Sequence, residues 1–204
     1  SFTQWLGGMG IIVLFVAILP QFAVAGRQMF FAETPGPTED KFTPRIRNTA
    51  SALWIVYAGL TIACAGCLMI AGMHPFDSIC NALSTLSAGG FSPNALSIFG
   101  YHSNLINWIV IFFMFIAGSS FVLQSRVITK RKLSLFWKSE EFRVYTSSII
   151  ILSLIVAFVL FFRQHFSFFH SITASLYQVL SLATSTGSAS EDFSLWTYDA
   201  KVIL

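Results

Sequence analysis

The sequence predicts an all-α membrane protein in which long apolar spans alternate with short helices that run into glycine turns. Three observations carry this. Of 204 residues, 55% are hydrophobic and only 10% charged, with Phe supplying 22. Four windows, about Gly8 to Ala25, Thr49 to Met73, Leu105 to Leu123 and Tyr145 to Phe162, contain no Lys, Arg, Asp or Glu. Each approaches the roughly 20 apolar residues a helix needs to cross about 30 Å of hydrocarbon. Finally, one stretch occurs twice. Leu83-Ser84-Thr85-Leu86-Ser87-Ala88-Gly89-Gly90-Phe91-Ser92 is echoed by Leu180-Ser181-Leu182-Ala183-Thr184-Ser185-Thr186-Gly187-Ser188-Ala189 at a constant offset of 97, which also pairs Ser97 with Ser194 and Tyr101 with Tyr198. A gapless offset of this length marks a duplicated module.

The first span needs Phe2 to Gly7 to reach full thickness, and no basic segment precedes it, which argues against a cleaved signal peptide. Gly7, Gly8 and Gly10 open it, and glycines in lipid-embedded helices mark close packing. Pro20 is expected to kink the span or end it. Pro35, Pro37 and Pro44 forbid a continuous helix through the following loop, so Asn48 or Thr49 is expected to cap the second span. Cys64 and Cys67 lie inside that span, where small residues for helix packing are a better reading than redox or zinc chemistry.

His74-Pro75-Phe76-Asp77 is a helix start, with Pro in the first turn and an acid at the positive end. Phe76, Ile79, Cys80, Leu83 and Leu86 recur at helical spacing before Gly89-Gly90. About 12 residues give roughly 18 Å, too short to cross. The segment is therefore expected to enter and leave by one face. Backbone that leaves the helix at such depth survives only against protein or water. The second copy, Ser171 to Leu180 running into Thr184-Ser185-Thr186-Gly187, has Ser and Thr suited to a protein wall rather than lipid.

Ten of the twelve basic residues fall in two segments: Arg27, Lys41, Arg45 and Arg47, then Arg126, Lys130, Arg131, Lys132, Lys138 and Arg143. None lies between His74 and Asn104. The positive-inside rule puts the basic loops in the cytoplasm and both repeated segments outside. Topology thus explains the basic clusters without nucleic acid. His74, His102, His165 and His170 show no metal-ligand spacing, so an enzyme is not the expectation. Asp77, Glu191, Asp192 and Asp199 fall on the outer side, where they would concentrate cations or simply be solvated. Trp108, Trp196, Tyr101 and Tyr198 read as interface anchors.

Such turns suit an ion pathway. A potassium ion gives up water only where other oxygens replace it, and stacked backbone carbonyls do so. The tightest point favours Gly. Small neighbours such as Ala88 and Ser185 leave room around an axis, and Phe91 is placed to brace the turn from behind. The negative C-terminal end of each short helix adds attraction for a cation.

Several segments together resemble the Trk/Ktr/HKT superfamily of potassium uptake proteins, and above all its bacterial TrkH-type membrane subunits. They are Ser1 to Ile12, Phe30-Phe31-Ala32-Glu33-Thr34-Pro35-Gly36-Pro37, Lys41 to Arg45, Leu83 to Ser92 and Phe113-Met114-Phe115-Ile116-Ala117-Gly118. The resemblance implies helix–pore-loop–helix repeats as in potassium channels, four of them around a pseudo-fourfold pore, each giving one filter strand. It assigns residues 1–47 to the last helix of repeat one and a cytoplasmic loop. Residues 48–143 are then repeat two, and residues 144–204 the first helix and pore loop of repeat three. The filter glycines map onto Gly90 and Gly187. The filter strands are Ser87, Ala88, Gly89, Gly90 and Phe91, and Thr184, Ser185, Thr186, Gly187 and Ser188, with potassium at carbonyls near Ala88, Gly89, Gly90, Ser185, Thr186 and Gly187.

Two positions depart from the pattern. Ser188 stands where an aromatic is usual, and Ala117-Gly118-Ser119-Ser120 replaces a stretch richer in Gly and Asn. The first and fourth pore loops are missing, so a fragment of a longer chain is expected. The implied activity is potassium uptake across the cytoplasmic (inner) membrane, with no cofactor and potassium as substrate. The alternative is a non-conducting remnant or assembly partner. The implied partners are the lipid bilayer, a second copy in a homodimer and a cytosolic nucleotide-binding regulatory subunit. The segment Arg126 to Arg143 would dock that subunit, though attraction to anionic headgroups explains the same charges.

Overall fold

A computed structural model describes residues 1–10, 42–101, 103–130, 132–164, 167–191 and 196. Most of the expected first span, with Pro20, Pro35, Pro37, Arg27 and Lys41, lies outside them. Every regular element among the described residues is helical. In chain order these are α1 (residues 2–10), α2 (Phe42–Ile70), α3 (Pro75–Leu86), a 3₁₀ turn (Ser97–Tyr101), α4 (Asn104–Ala117), α5 (Phe121–Lys130), α6 (Ser134–Lys138), α7 (Glu140–Gln164) and α8 (Phe168–Ala183). Stretches Ser51–Ile70 of α2 and Glu140–Phe162 of α7 are long and apolar enough to cross a membrane.

Two helical hairpins organise the chain. α2 packs on α3, α7 packs on α8, and α4 bridges them by contacting both α3 and α8. The inward stripe of α2 is Leu53, Tyr57, Thr61, Cys64 and Leu68, steps of three and four residues on one helix face. In α7 the stripe is Ile149, Ser153, Val156 and Leu160. Opposite faces carry Ile55, Ile62, Phe158 and Phe162 outward, as a helix in lipid should. The α2–α3 corner closes with the Met73 N–H on the Leu68 carbonyl (3.1 Å) and the Gly72 N–H on Met69 (3.0 Å), a Schellman end. Pro75 then opens α3.

The short helices face the other way from the expectation for soluble helices. In α3 the buried positions are Ser78, Asn81, Ala82, Ser84, Thr85 and Leu86, whereas Phe76 and Ile79 are exposed. In α8 Ser171, Ser175, Gln178 and Ser181 are buried and Phe168, Phe169 and Leu182 exposed. Lipid is as apolar as Leu, so small and polar residues gain most from protein contact.

Three expectations are corrected. α2 starts at Phe42, not at an Asn48 or Thr49 cap, and Pro44 sits in its first turn. A first-turn N–H has no intrahelical partner to lose, so Pro is tolerated there. Of Gly7, Gly8 and Gly10, only Gly8 lies against neighbours, so the other two are not close-packing sites among the described residues. The third span is not one helix: α4 and α5 meet at 95° across Gly118-Ser119-Ser120.

The break is built from hydrogen bonds. The Ser119 N–H turns to the Ile116 carbonyl (3.0 Å), and the Ser119 hydroxyl donates to the same oxygen (2.8 Å). Gln124, reaching back from α5, donates Nε2 to Ile116 O (2.7 Å) and Ser119 Oγ (2.9 Å). Carbonyls freed by a bend inside a membrane need such partners. Replacing Gln124 by Leu is expected to lower thermal stability in detergent by about 1 kcal/mol, the loss of its buried hydrogen bonds to a corner that Ser119 still caps. An unchanged melting temperature would remove Gln124 from the account of the bend.

Candidate functional site

The two repeated turns have one backbone. At the end of α3, Ala88 N–H bonds Thr85 O (3.2 Å) and Gly89 N–H bonds Ser84 O (2.8 Å). At the end of α8, Ser185 N–H bonds Leu182 O (3.0 Å) and Thr186 N–H bonds Ser181 O (2.8 Å). Every partner is displaced by 97 positions. Both are Schellman ends, with Ser87 and Thr184 as the caps. Left-handed backbone falls on Ala88 (φ 54°) and Gly90 (φ 64°), then on Ser185 (φ 57°) and Gly187 (φ 68°). The sequence reading put the strain on glycine alone. Ala88 and Ser185 carry it too, at about 1–2 kcal/mol each for a residue with a Cβ.

The turns meet. A Cβ on Gly90 would overlap the Thr186 carbonyl oxygen, so glycine is required there by contact as well as by φ. Gly89 has ordinary handedness, and a Cβ there would displace the end of the Gln4 side chain, 2.6 Å away at Oε1. Gln4 Nε2 in turn donates to the Gly89 carbonyl (3.4 Å). A Cβ on Gly187 would meet nothing within 4 Å.

Ser188 is a hub. The Tyr177 hydroxyl lies 2.6 Å from its Oγ, and Ser97 Oγ lies 3.3 Å away on the other side. The Ser181 hydroxyl donates to the Ser188 carbonyl (2.6 Å). Ser97 also accepts the Ala189 N–H (3.3 Å), and the Phe99 N–H bonds the Ala189 carbonyl (3.1 Å). The segment after the first turn is thereby laced to the second. The second turn is thus held by a network of hydroxyls. Thr184 Oγ1 and Thr186 Oγ1 lie 2.7 Å apart and tie the second turn to itself.

Beside this network is a cavity of about 220 Å³, lined in part by Ser103, Asn107, Thr173, His170 and Glu191. His170 Nε2 is 2.8 Å from Glu191 Oε1. Burial pushes the Glu191 carboxyl up, while the imidazole and the Trp196 indole pull it down.

Among the residues singled out from sequence, Phe91 is 67% exposed among the described residues. Trp196 is buried rather than an interface anchor. His102, Asp192, Tyr198 and Asp199 lie outside the described residues. Gln4, Tyr177 and Ser181 were missed. Tyr177 and Ser181 are four apart on α8, and Ser97 belongs to the repeat, so the network left a partial trace in the sequence.

Known proteins are similar to this chain in sequence and fold. The sequence profile of the TrkH family, described as a cation transport protein, matches residues 1–204. The Trk system potassium uptake protein TrkH of Salmonella typhimurium is 40% identical over 203 residues, covering 98% of this chain and 42% of that protein. TrkH of Vibrio parahaemolyticus is 40% identical over 209 residues, covering 100% and 43%. TrkG of Escherichia coli is 35% identical over 206 residues, covering 98% and 42%. The crystal structure of the potassium transporter TrkH from Vibrio parahaemolyticus superposes with a TM-score of 0.85 at 35% identity, over 99% of this chain and 41% of that one. The chain thus spans about two fifths of the curated relatives it matches.

Ser188→Ala strands the buried Tyr177 hydroxyl and is expected to cost about 1–3 kcal/mol in thermal unfolding. Adding Tyr177→Phe removes the stranded group and should recover part of that loss. Strict additivity of the two changes would mean that the hydroxyls do not interact.

Proposed function

The chain belongs to the TrkH family of cation transport proteins, and on that premise we propose that it supplies two strands of a potassium-selective pore. The observation behind this reading is the backbone shape repeated at offset 97, with left-handed residues at 88 and 90 and again at 185 and 187. Alternating handedness turns successive peptide carbonyls toward one side. Carbonyls gathered in this way replace the water around a dehydrated potassium ion. In this reading the strands are Ser87 to Phe91 and Thr184 to Ser188. The ion is held near the carbonyls of Ala88, Gly89, Gly90, Ser185, Thr186 and Gly187.

Each part of the site has one task. The α3 and α8 C-terminal ends add partial negative charge at the pore. Schellman bonding takes up the Ala88 and Gly89 N–H groups at the first bend and those of Ser185 and Thr186 at the second, which leaves the neighbouring carbonyls to face a cation. Gly90 lets the two strands approach, and the Ser188 hydroxyls hold the second strand in register with the segment after the first. No cofactor enters; potassium is the substrate, and the family's members are transporters rather than enzymes.

Residues 1–47, 48–143 and 144–204 belong to repeats one, two and three of the four-repeat pore. The membrane is the cytoplasmic (inner) one, with the turns facing outside and the basic segments inside. Two copies pair as a homodimer. The relatives are named as parts of a Trk system, which supports further components; in this reading one is a cytosolic nucleotide-binding regulatory subunit that docks on α5, α6 and the start of α7.

The test is rubidium uptake with sodium competition, in cells lacking their own potassium uptake, expressing the full reading frame that encodes this chain. Uptake resisting sodium is expected, and Gly90→Asp should reduce it, or its resistance to sodium, by about tenfold or more, equivalent to about 1.4 kcal/mol. No uptake despite verified insertion would favour a non-conducting remnant. Unchanged uptake in Gly90→Asp would sink the filter assignment.

A further inference from the structure

The junction between a preceding helix and each glycine turn is also built twice. At the first, Tyr57 of α2 stacks on Trp5 of α1 with centroids 5.2 Å apart and planes at 18°. The Tyr57 hydroxyl donates to the Trp5 carbonyl (3.2 Å). Three residues further along α1, a Cβ on Gly8 would stand 3.2 Å from that hydroxyl and 3.3 Å from the Ser87 Cβ. At the second, Tyr145 of α7 stacks on Phe115 of α4 at 5.3 Å and 28°. Its hydroxyl donates to the Phe115 carbonyl (3.2 Å). Three residues further, a Cβ on Gly118 would run into that hydroxyl and into the Thr184 side chain.

The two junctions correspond part by part, with Tyr57 followed at an offset of 88 by Tyr145. Trp5 and Gly8 are followed at an offset of 110 by Phe115 and Gly118, and Ser87 is followed at 97 by Thr184. Ser87 and Thr184 are the caps of the short helices, each one residue before the first left-handed position. A tyrosine ring therefore rests on one helix, its hydroxyl is pinned to that helix's backbone, and a bare glycine lets the cap of the turn press in beside it. At the second junction the pin has a further reason. The bend diverts the Ser119 N–H to Ile116, which leaves the Phe115 carbonyl to be met by Tyr145.

We propose that Tyr57 and Tyr145 are positioning residues that fix each glycine turn against the preceding repeat through this tyrosine–carbonyl pin. The inference rests on the reading of the Gly90 and Gly187 turns as filter strands. Neither hydroxyl touches the ion. Each sets how far its turn can slide from the neighbouring helix, and with it the spacing of the carbonyls. A filter discriminates only while that spacing holds.

Tyr57→Phe and Tyr145→Phe keep the stacked ring and delete the pin. Two readouts are made on the full reading frame. One is amide hydrogen exchange of the purified protein. Exchange should quicken about five-fold at residues 87–90 in Tyr57→Phe and at 184–187 in Tyr145→Phe, equivalent to about 1 kcal/mol for one hydrogen bond. The mid-helix amides of α7 should not change. The other is rubidium uptake, where the half-saturating rubidium concentration should rise and resistance to sodium fall several-fold, with maximal rate retained. Local quickening without transport in the wild type supports the pin and sinks the potassium reading. Unchanged exchange at both turns overturns the pin whatever the transport result. Uniform quickening along the chain overturns it as well, since that is a general loss of stability.

Discussion

Backbone that leaves a helix inside a membrane must still satisfy its amide groups, and the structure is arranged around that constraint. At each glycine turn the N–H groups fold back onto the helix that precedes them, Gly89 onto Ser84 and Thr186 onto Ser181. Those bonds take up the first donors of each bend. At the α4–α5 bend the same need is met by side chains, Ser119, Gln124 and Tyr145 supplying donors to the Ile116 and Phe115 carbonyls. One requirement is thus met by backbone donors in one place and by side-chain donors in another.

The packing follows from the same solvent. Since lipid offers apolar side chains as much as a core would, the short helices turn Ser, Thr, Asn and Gln inward and Phe, Ile and Leu outward. Those inward hydroxyls are what lace the turns together. Ser181 and Tyr177 of α8 hold Ser188, and Ser188 reaches Ser97 beyond the first turn. Gly90 lies against the Thr186 carbonyl, so the turns are coupled by contact as well as by hydrogen bonds.

Much of this was legible in the sequence. The offset of 97 gave both turns and both short helices, because a gapless duplication preserves cap, bend and glycine together. The helix start at Pro75 and the length of α3 followed from local chemistry. Other features were hidden for physical reasons. Leu105 to Leu123 is uniformly uncharged, and hydropathy does not see that Gly118-Ser119-Ser120 exchanges helix bonds for side-chain ones. Asn48 and Thr49 resembled caps, but Pro44 fits a first turn equally well. The left-handed strain on Ala88 and Ser185 was invisible, since nothing in Ala or Ser announces φ above zero. The Ser188 hub needs Tyr177 and Ser97, one from the preceding helix and one from the other repeat, and only the fold brings them within 3.3 Å.

The central claim is that the two turns present carbonyls to a dehydrated monovalent cation. The most direct measurement is an anomalous-scattering map of the full-length protein crystallised in rubidium. The account predicts a peak within coordination distance of the carbonyls around Gly90 and Gly187, and its loss on replacing rubidium by sodium. A map with no peak there, or one equally occupied in sodium, would contradict it.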